Sequence, residues 1–161
     1  MTIQTGQKLP DLPIAVIDDG EKQNTTTGEL FAGRRVVMFA VPGAFTPTCS
    51  ERHLPGYVAL FDAFRERDIE IFCLSVNDAF VMQAWAKAQF VPPGLKMLAD
   101  GNADFTRALG LELDGSAYGL GLRARRFALY AEDGVVKSLA IEAPGEFRVT
   151  SAEAMLAAIG G

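Results

Sequence analysis

The sequence predicts an α/β fold, a central mixed sheet with helices on both faces, from three observations. Short apolar runs at 12–17, 36–41, 69–75 and 96–99 alternate with segments of helical periodicity. The run Val36-Val37-Met38-Phe39-Ala40-Val41 is apolar at every position, as in a strand buried on both faces. Two further runs, 127–131 and 135–142, flank Glu132-Asp133-Gly134, a hairpin signal that demands one antiparallel pair and so makes the sheet mixed.

The elements follow in order. Residues 12–17 read as a strand, Asp18-Asp19-Gly20 as a turn, and 23–27 as a strand that pairs back. Thr27 is placed to cap a short helix over 28–32. After the buried strand a helix runs over 47–67, with Leu54, Val58, Phe61 and Phe64 recurring on one face. Pro55-Gly56 lies inside it and predicts a kink, because proline removes one helical hydrogen bond. A strand over 69–75 carries Cys73 at its middle. Asn77-Asp78 open a helix over 79–89 that stops before Pro92-Pro93-Gly94. A strand over 96–99, a short helix over 102–109, the hairpin, and a last helix capped by Ser151 complete the chain. No repeat, linker or low-complexity tract divides it, so 1–161 reads as one domain.

Composition narrows the function classes. A net charge of −5 without a basic stripe argues against nucleic acid and anionic membranes as partners. The densest basic run, Arg123 to Arg126, holds three arginines, which alone reads as a solvated strand end. No apolar run reaches the length of a membrane span. Residues 1–8 lack the apolar core of a secretion signal, so a cytoplasmic location is expected. Two cysteines outside any CxxC spacing, with a single histidine, fit a reducing compartment and leave no zinc or multi-histidine site to expect.

The chemistry centres on Val41-Pro42-Gly43-Ala44-Phe45-Thr46-Pro47-Thr48-Cys49-Ser50. Thr46 suits a helix N-cap and Pro47 the first helical position, where its missing N–H is not needed. Cys49 then falls in the first turn, near unpartnered amide N–H groups and the positive end of the helix dipole. That setting favours the thiolate, the nucleophilic form. A lone cysteine is more often a small buried hydrophobe; its neighbours carry the case for reactivity.

Pro42, Thr46 and Cys49 form the pattern Pro-x-x-x-Thr-x-x-Cys, which resembles the active-site motif of the peroxiredoxins. The longer string from Pro42 to Tyr57 is similar to the type II, peroxiredoxin-5-like subgroup, as are the blocks Ser75 to Val81 and Arg125-Arg126-Phe127-Ala128-Leu129. The resemblance implies a thioredoxin-like fold. It also implies a thiol-specific peroxidase that reduces hydrogen peroxide and organic hydroperoxides through a cysteine sulfenic acid at Cys49, with no metal, flavin or haem. Thr46 can donate to and accept from sulfur and peroxide together, and Pro42 can shield the sulfur without offering an N–H. Charge stabilisation calls for a cation that cannot deprotonate; the family position is Arg126, with Arg125 and Arg123 as near competitors. The apolar surroundings of Cys73 read as those of a buried structural thiol. Residues 141–161 hold no cysteine, unlike subgroup members with a resolving thiol there. An external thiol, glutathione with glutaredoxin or else thioredoxin, is therefore expected to recycle Cys49. The resemblance further implies a homodimer, in which Phe45 and Phe80 supply apolar contacts. His53, at i+4 from Cys49, is expected to pack or hydrogen-bond rather than act as a base, and Trp85 to serve the core or the dimer. A redox sensor relaying oxidation to a partner protein is the alternative reading of the same cysteine.

Overall fold

The computed structural model describes residues 2–160. Seven strands form one sheet in the order β2-β1-β5-β4-β3-β8-β9: β1 Pro13–Asp18, β2 Glu21–Thr26, β3 Arg35–Val41, β4 Ile69–Ser75, β5 Leu95–Ala99, β8 Phe127–Glu132 and β9 Val135–Ile141. The three central strands β3, β4 and β5 are parallel, and every other pairing is antiparallel. The mixed sheet is the expected one. Its central strands are apolar along their length because both faces are covered. The outer strand β2, Glu-Lys-Gln-Asn-Thr-Thr, is exposed and polar, which protects that edge from pairing with another chain. Among the described residues no helix is long and apolar enough to cross a membrane.

Alternation along each strand sorts side chains into two cores. Val36, Met38, Ala40, Phe72, Leu74, Phe127 and Leu129 face one side, where they meet α1 Thr27–Phe31 and α5 Asp104–Leu109. Val37, Phe39, Val41, Ile71, Cys73, Ala128 and Tyr130 face the other, beneath α2 Leu54–Ala59, α3 Phe61–Arg65, α4 Ala79–Ala88 and α6 Ala152–Ile159. Trp85 on α4 is fully buried in this second core, and its Nε1–H donates to Ser50 Oγ at 2.9 Å, tying α4 to the segment after β3. The hairpin between β8 and β9 turns at Asp133 and Gly134, both at positive φ (49° and 78°), the geometry an Asp-Gly pair supplies.

Several local expectations are corrected. Thr26, not Thr27, caps α1: its side chain accepts from Glu29 N–H at 3.2 Å. Thr27 is buried instead, donating to the Pro10 carbonyl at 2.6 Å and accepting from Leu12 N–H at 2.9 Å. The single helix expected over 47–67 is three pieces. A π-helical turn spans Cys49–His53, and the chain breaks again at Leu60 (φ −102°, ψ 13°) between α2 and α3. Proline explains the first break. Pro55 has no N–H to give Glu51, and its ring would press on that carbonyl, so the chain widens the preceding turn and Leu54 N–H bonds to the Cys49 carbonyl. The distortion therefore precedes Pro55 and falls on the cysteine itself. A two-stranded ribbon, β6 Glu112–Asp114 with β7 Leu122–Ala124, was not legible in the sequence, its strands being only three residues each.

Candidate active site

The loop after β3 is shaped by contacts with the segment after β4. Ala44 N–H donates to Asn77 Oδ1 at 3.0 Å, and Ser75 Oγ donates to the same oxygen at 2.5 Å. Phe45 adopts the left-handed region (φ 64°), unusual for a bulky residue. Gly43 sits at a close approach: a Cβ there would lie 3.2 Å from both Arg123 Nη1 and Thr46 Cγ2, so both side chains would have to give by a few tenths of an ångström. Contrary to the expected N-cap role, the Thr46 side chain does not cap the helix. Its hydroxyl donates to the Gly43 carbonyl at 2.7 Å, closing the loop on itself, while its own carbonyl accepts from Ser50 N–H at 2.9 Å. Helical structure begins at Pro47.

This places Cys49 on the sheet-facing side of the π turn, wholly buried in the second core. The geometry selects among the three arginines. Arg126 Nη2 donates to Cys49 Sγ at 3.1 Å. Strand alternation is the reason: Arg126 precedes β8 in phase with Ala128 and Tyr130, which face the second core, while Arg125 is in phase with Phe127 on the other side. Arg123 is spent on structure, donating from Nε to the Leu120 carbonyl at 2.9 Å and from Nη1 to that of Val76 at 3.2 Å.

His53 completes the group, by hydrogen bonding rather than as a base. Arg126 Nη1 donates to its Nδ1 at 2.6 Å, which requires the neutral tautomer protonated at Nε2, and Nε2–H donates to the Thr150 carbonyl at 3.0 Å. The ring is buried between Phe39 (4.8 Å between centroids) and Phe147 (5.0 Å). Burial, reinforced by the Arg126 charge, lowers its pKa to about 3. The guanidinium is thus forked, one nitrogen on sulfur and one on a neutral imidazole. Glu142, Phe147 and Thr150 join this environment and were not singled out from the sequence. They lie far along the chain, and no local pattern marks them.

A cavity of about 200 Å³ opens beside the cysteine, lined by Pro42, Thr48, Arg52, Arg126 and Phe147 among others. Arg126 lines the cavity and also touches the buried sulfur, so it links the cavity to the thiol. A larger cavity of about 630 Å³ lies between α4 and β5, lined by Phe80, Lys87 and Met97, and holds none of these groups. Among the described residues no cluster of three or more histidine, cysteine or carboxylate side chains could hold a metal ion. The arrangement sets a fixed cation against the sulfur at the edge of a cavity, where it can stabilise negative charge that develops on either side.

Comparison with known proteins gives this geometry its family. Residues 4–156 match the Redoxin family. The chain is 50% identical over 164 residues to peroxiredoxin-2E-2, chloroplastic, of Oryza sativa, covering 98% of this chain and 73% of that protein. It is 43% identical to peroxiredoxin-2B of Arabidopsis thaliana, covering 98% of each. The chain belongs to the peroxiredoxins. Reduced Prx3 of Vibrio vulnificus, solved in complex with hydrogen peroxide, superposes on this peroxiredoxin with a TM-score of 0.92 at 50% identity, covering 98% of this chain and 99% of that one. The fold is thioredoxin-like, the subgroup is type II, and the protein is a cysteine-based thiol peroxidase.

Two expectations arise for this peroxiredoxin's buried groups. Cys73 is fully buried on β4, and burial, with Cys49 nearby, pushes its thiol well above the usual range. Such a thiol forms little thiolate and makes a poor attacking group. Cys73→Ser is therefore expected to keep the peroxidase cycle running with an external thiol, while losing about 1–3 kcal/mol of stability for a hydroxyl set among apolar neighbours. Loss of turnover in folded Cys73→Ser protein would make Cys73 a resolving thiol.

His53 sets a pH dependence of stability. Its pKa is about 3 in the fold and near 6.5 when unfolded. Between these values the unfolded chain binds a proton that the native state does not, so stability falls as pH drops, by up to about 1.4 kcal/mol per unit, and is unaffected by this group above 6.5. Urea titrations at pH 6.5 and 5.0 should show a loss of roughly 1.5–2 kcal/mol that is absent in His53→Gln. Parallel behaviour of the two proteins would mean that His53 is protonated in the native state.

Proposed function

We propose that Cys49 is the peroxidatic nucleophile, with Arg126, Thr46 and Pro42 as its catalytic partners, and that the resulting sulfenic acid is recycled by glutathione with glutaredoxin, or by thioredoxin. The observation that carries this reading is the Arg126 Nη2–Cys49 Sγ hydrogen bond of 3.1 Å at the edge of the cavity. The Cys49 thiolate attacks one peroxide oxygen, the O–O bond breaks, and the departing oxygen leaves as water or an alcohol after taking up a proton. Arg126 faces the charge before and during transfer, stabilising sulfur first and then oxygen without moving a proton. Thr46, two residues from the cavity-lining Thr48, can turn its hydroxyl from the Gly43 carbonyl toward the peroxide, and Pro42 lines the entry without a competing N–H. A first reductant thiol displaces water from Cys49–SOH to give a mixed disulfide, and a second thiol releases Cys49 and leaves with the oxidised reductant. Both cysteines are unpaired, which supports a reducing compartment, the cytoplasm, as the place of action. A steady-state peroxidase assay run separately with glutathione and glutaredoxin, and with thioredoxin, tests the reductant. Turnover with neither would refute an external thiol of this kind.

The proposed assembly is a homodimer through the active-site end. Phe45 and Phe80 support it, being 55% and 77% exposed, with the Phe45 ring 6.5 Å from that of Trp85. Phe80→Asp is expected to weaken association by tenfold or more, since an apolar contact of this size contributes about 1.5–3 kcal/mol. Light scattering at tens of micromolar reads the change, and a monomeric wild type would remove the proposal.

A further inference from the structure

The carboxylate of Glu142, one residue beyond β9, is buried and gathers the chain around it. Glu142 Oε2 accepts from the backbone N–H groups of Arg148, Val149 and Thr150 at 2.8, 2.8 and 2.9 Å, and from Thr150 Oγ1 at 2.8 Å. Its own N–H donates to the Arg126 carbonyl at 3.0 Å. Held in this way, the Thr150 carbonyl receives Tyr57 O–H at 2.8 Å and His53 Nε2–H at 3.0 Å. His53 then presents Nδ1 to Arg126, and Arg126 presents Nη2 to Cys49.

We propose that Glu142 is a positioning residue for the peroxidatic site: by ordering residues 148–150 it fixes the His53 tautomer, and through it the aim of Arg126 at Cys49. The proposal rests on the assignment of Cys49 and Arg126 made above. The physical argument is one of directionality. An imidazole has one donor and one acceptor when neutral, and which nitrogen is which follows from the partner of the other. Thr150 offers only a carbonyl to Nε2, so Nε2 must carry the proton and Nδ1 must be the acceptor. Without an ordered carbonyl there, only Arg126 still favours that tautomer, and Nδ1–H, which sets two donors against each other, becomes more accessible. A carboxylate is suited to the anchoring because a single oxygen here takes four donors, a load that calls for its full charge. Although burial alone would raise its pKa, the Arg148, Val149 and Thr150 donors bring the net shift downward, so it stays ionised.

Arg126 bonds His53 directly and the Tyr57 ring lies 5.7 Å from it, while Arg52 sits over the Phe147 ring at 4.7 Å and Cys49 and Cys73 belong to the same core. Arg126 is the cation nearest the ring and disfavours its protonation; Glu142 reaches it only through Thr150. Released from the Thr150 carbonyl, the ring should gain access to water and titrate upward from about 3 toward its ordinary range, while Arg126 still opposes its protonation.

The chain has one histidine, so its imidazole resonances are unambiguous. Long-range ¹H–¹⁵N spectra of the reduced protein should show a neutral, Nε2-protonated ring from pH 8 to 5. In Glu142→Ala the ring should become a tautomer mixture whose titration moves up from about 3 toward the ordinary range, and single-turnover oxidation of Cys49 by hydrogen peroxide should slow by about tenfold or more. Glu142→Gln keeps the volume but offers a neutral acceptor. It should lie between the two, and it serves where Glu142→Ala does not fold. An unchanged histidine spectrum in a folded Glu142 variant overturns the proposal, whatever the rate. A changed spectrum with an unchanged rate refutes the link from His53 to the sulfur. Because the spectrum does not depend on turnover, a failure of the Cys49 assignment, seen as full activity in Cys49→Ser, is separable from a failure of the relay.

Discussion

Cys49→Ser is expected to abolish peroxide consumption while leaving the fold in place. The two side chains differ little in volume, the site is fully buried, and Arg126 can donate to a serine oxygen as it does to sulfur. What is lost is nucleophilicity. Sulfur is intrinsically the stronger nucleophile, whereas a hydroxyl needs a general base. The only imidazole near the site cannot serve as one. His53 Nδ1 is occupied by Arg126 and its Nε2–H by the Thr150 carbonyl, so neither nitrogen is free to take a proton from residue 49. Consumption of hydrogen peroxide followed with each reductant, beside circular dichroism and thermal melting, checks both halves. Turnover by Cys49→Ser clearly above the thiol background would transfer the chemistry to another group.

Arg126→Ala is expected to slow oxidation of Cys49 by about 10²–10³-fold, the loss typical when a preorganised donor is removed from a developing charge. Two partners are stranded together: the sulfur loses its 3.1 Å donor, and His53 Nδ1 loses the group that satisfies it. Arg126→Lys should recover only part of the rate. An ammonium has no planar fork with which to reach sulfur and imidazole in the same geometry. Arg125→Ala should cost far less, because Arg125 lines the cavity while the donor to the sulfur is Arg126. Stopped-flow oxidation of the reduced proteins, scored against hydrogen peroxide concentration, separates the three. Equal losses for Arg125→Ala and Arg126→Ala would mean that net charge at the cavity matters and the fork does not.

The elements that carry the site differ in how far local sequence determined them. The all-apolar run of β3, the Pro-rich turn and a helix opening at Pro47 place Cys49 at a strand-to-helix junction from local sequence alone. Strand alternation does the same for the two cores, and Asp133-Gly134 for the hairpin, because each depends on the backbone preferences of neighbouring residues. Pro55 announced a distortion but not its position. A missing N–H can be absorbed on either side of the proline, and packing decided for a widened turn at Cys49 rather than a simple kink. Thr26 against Thr27 turned on the same kind of choice. Both hydroxyls suit a cap, and the tertiary contact with Pro10 and Leu12 claimed one of them. The choice of Arg126 among three arginines came from family likeness, and its geometric reason appears only in the folded chain, where the phase of β8 aims it at the second core. The links from Arg126 to Cys49, from Arg126 to His53 and from His53 to Thr150 span 77, 73 and 97 residues. Periodicity, caps and turns report on a few consecutive residues, so contacts at such separations leave no local signature. They exist because the sheet brings β3, β8 and the end of β9 side by side.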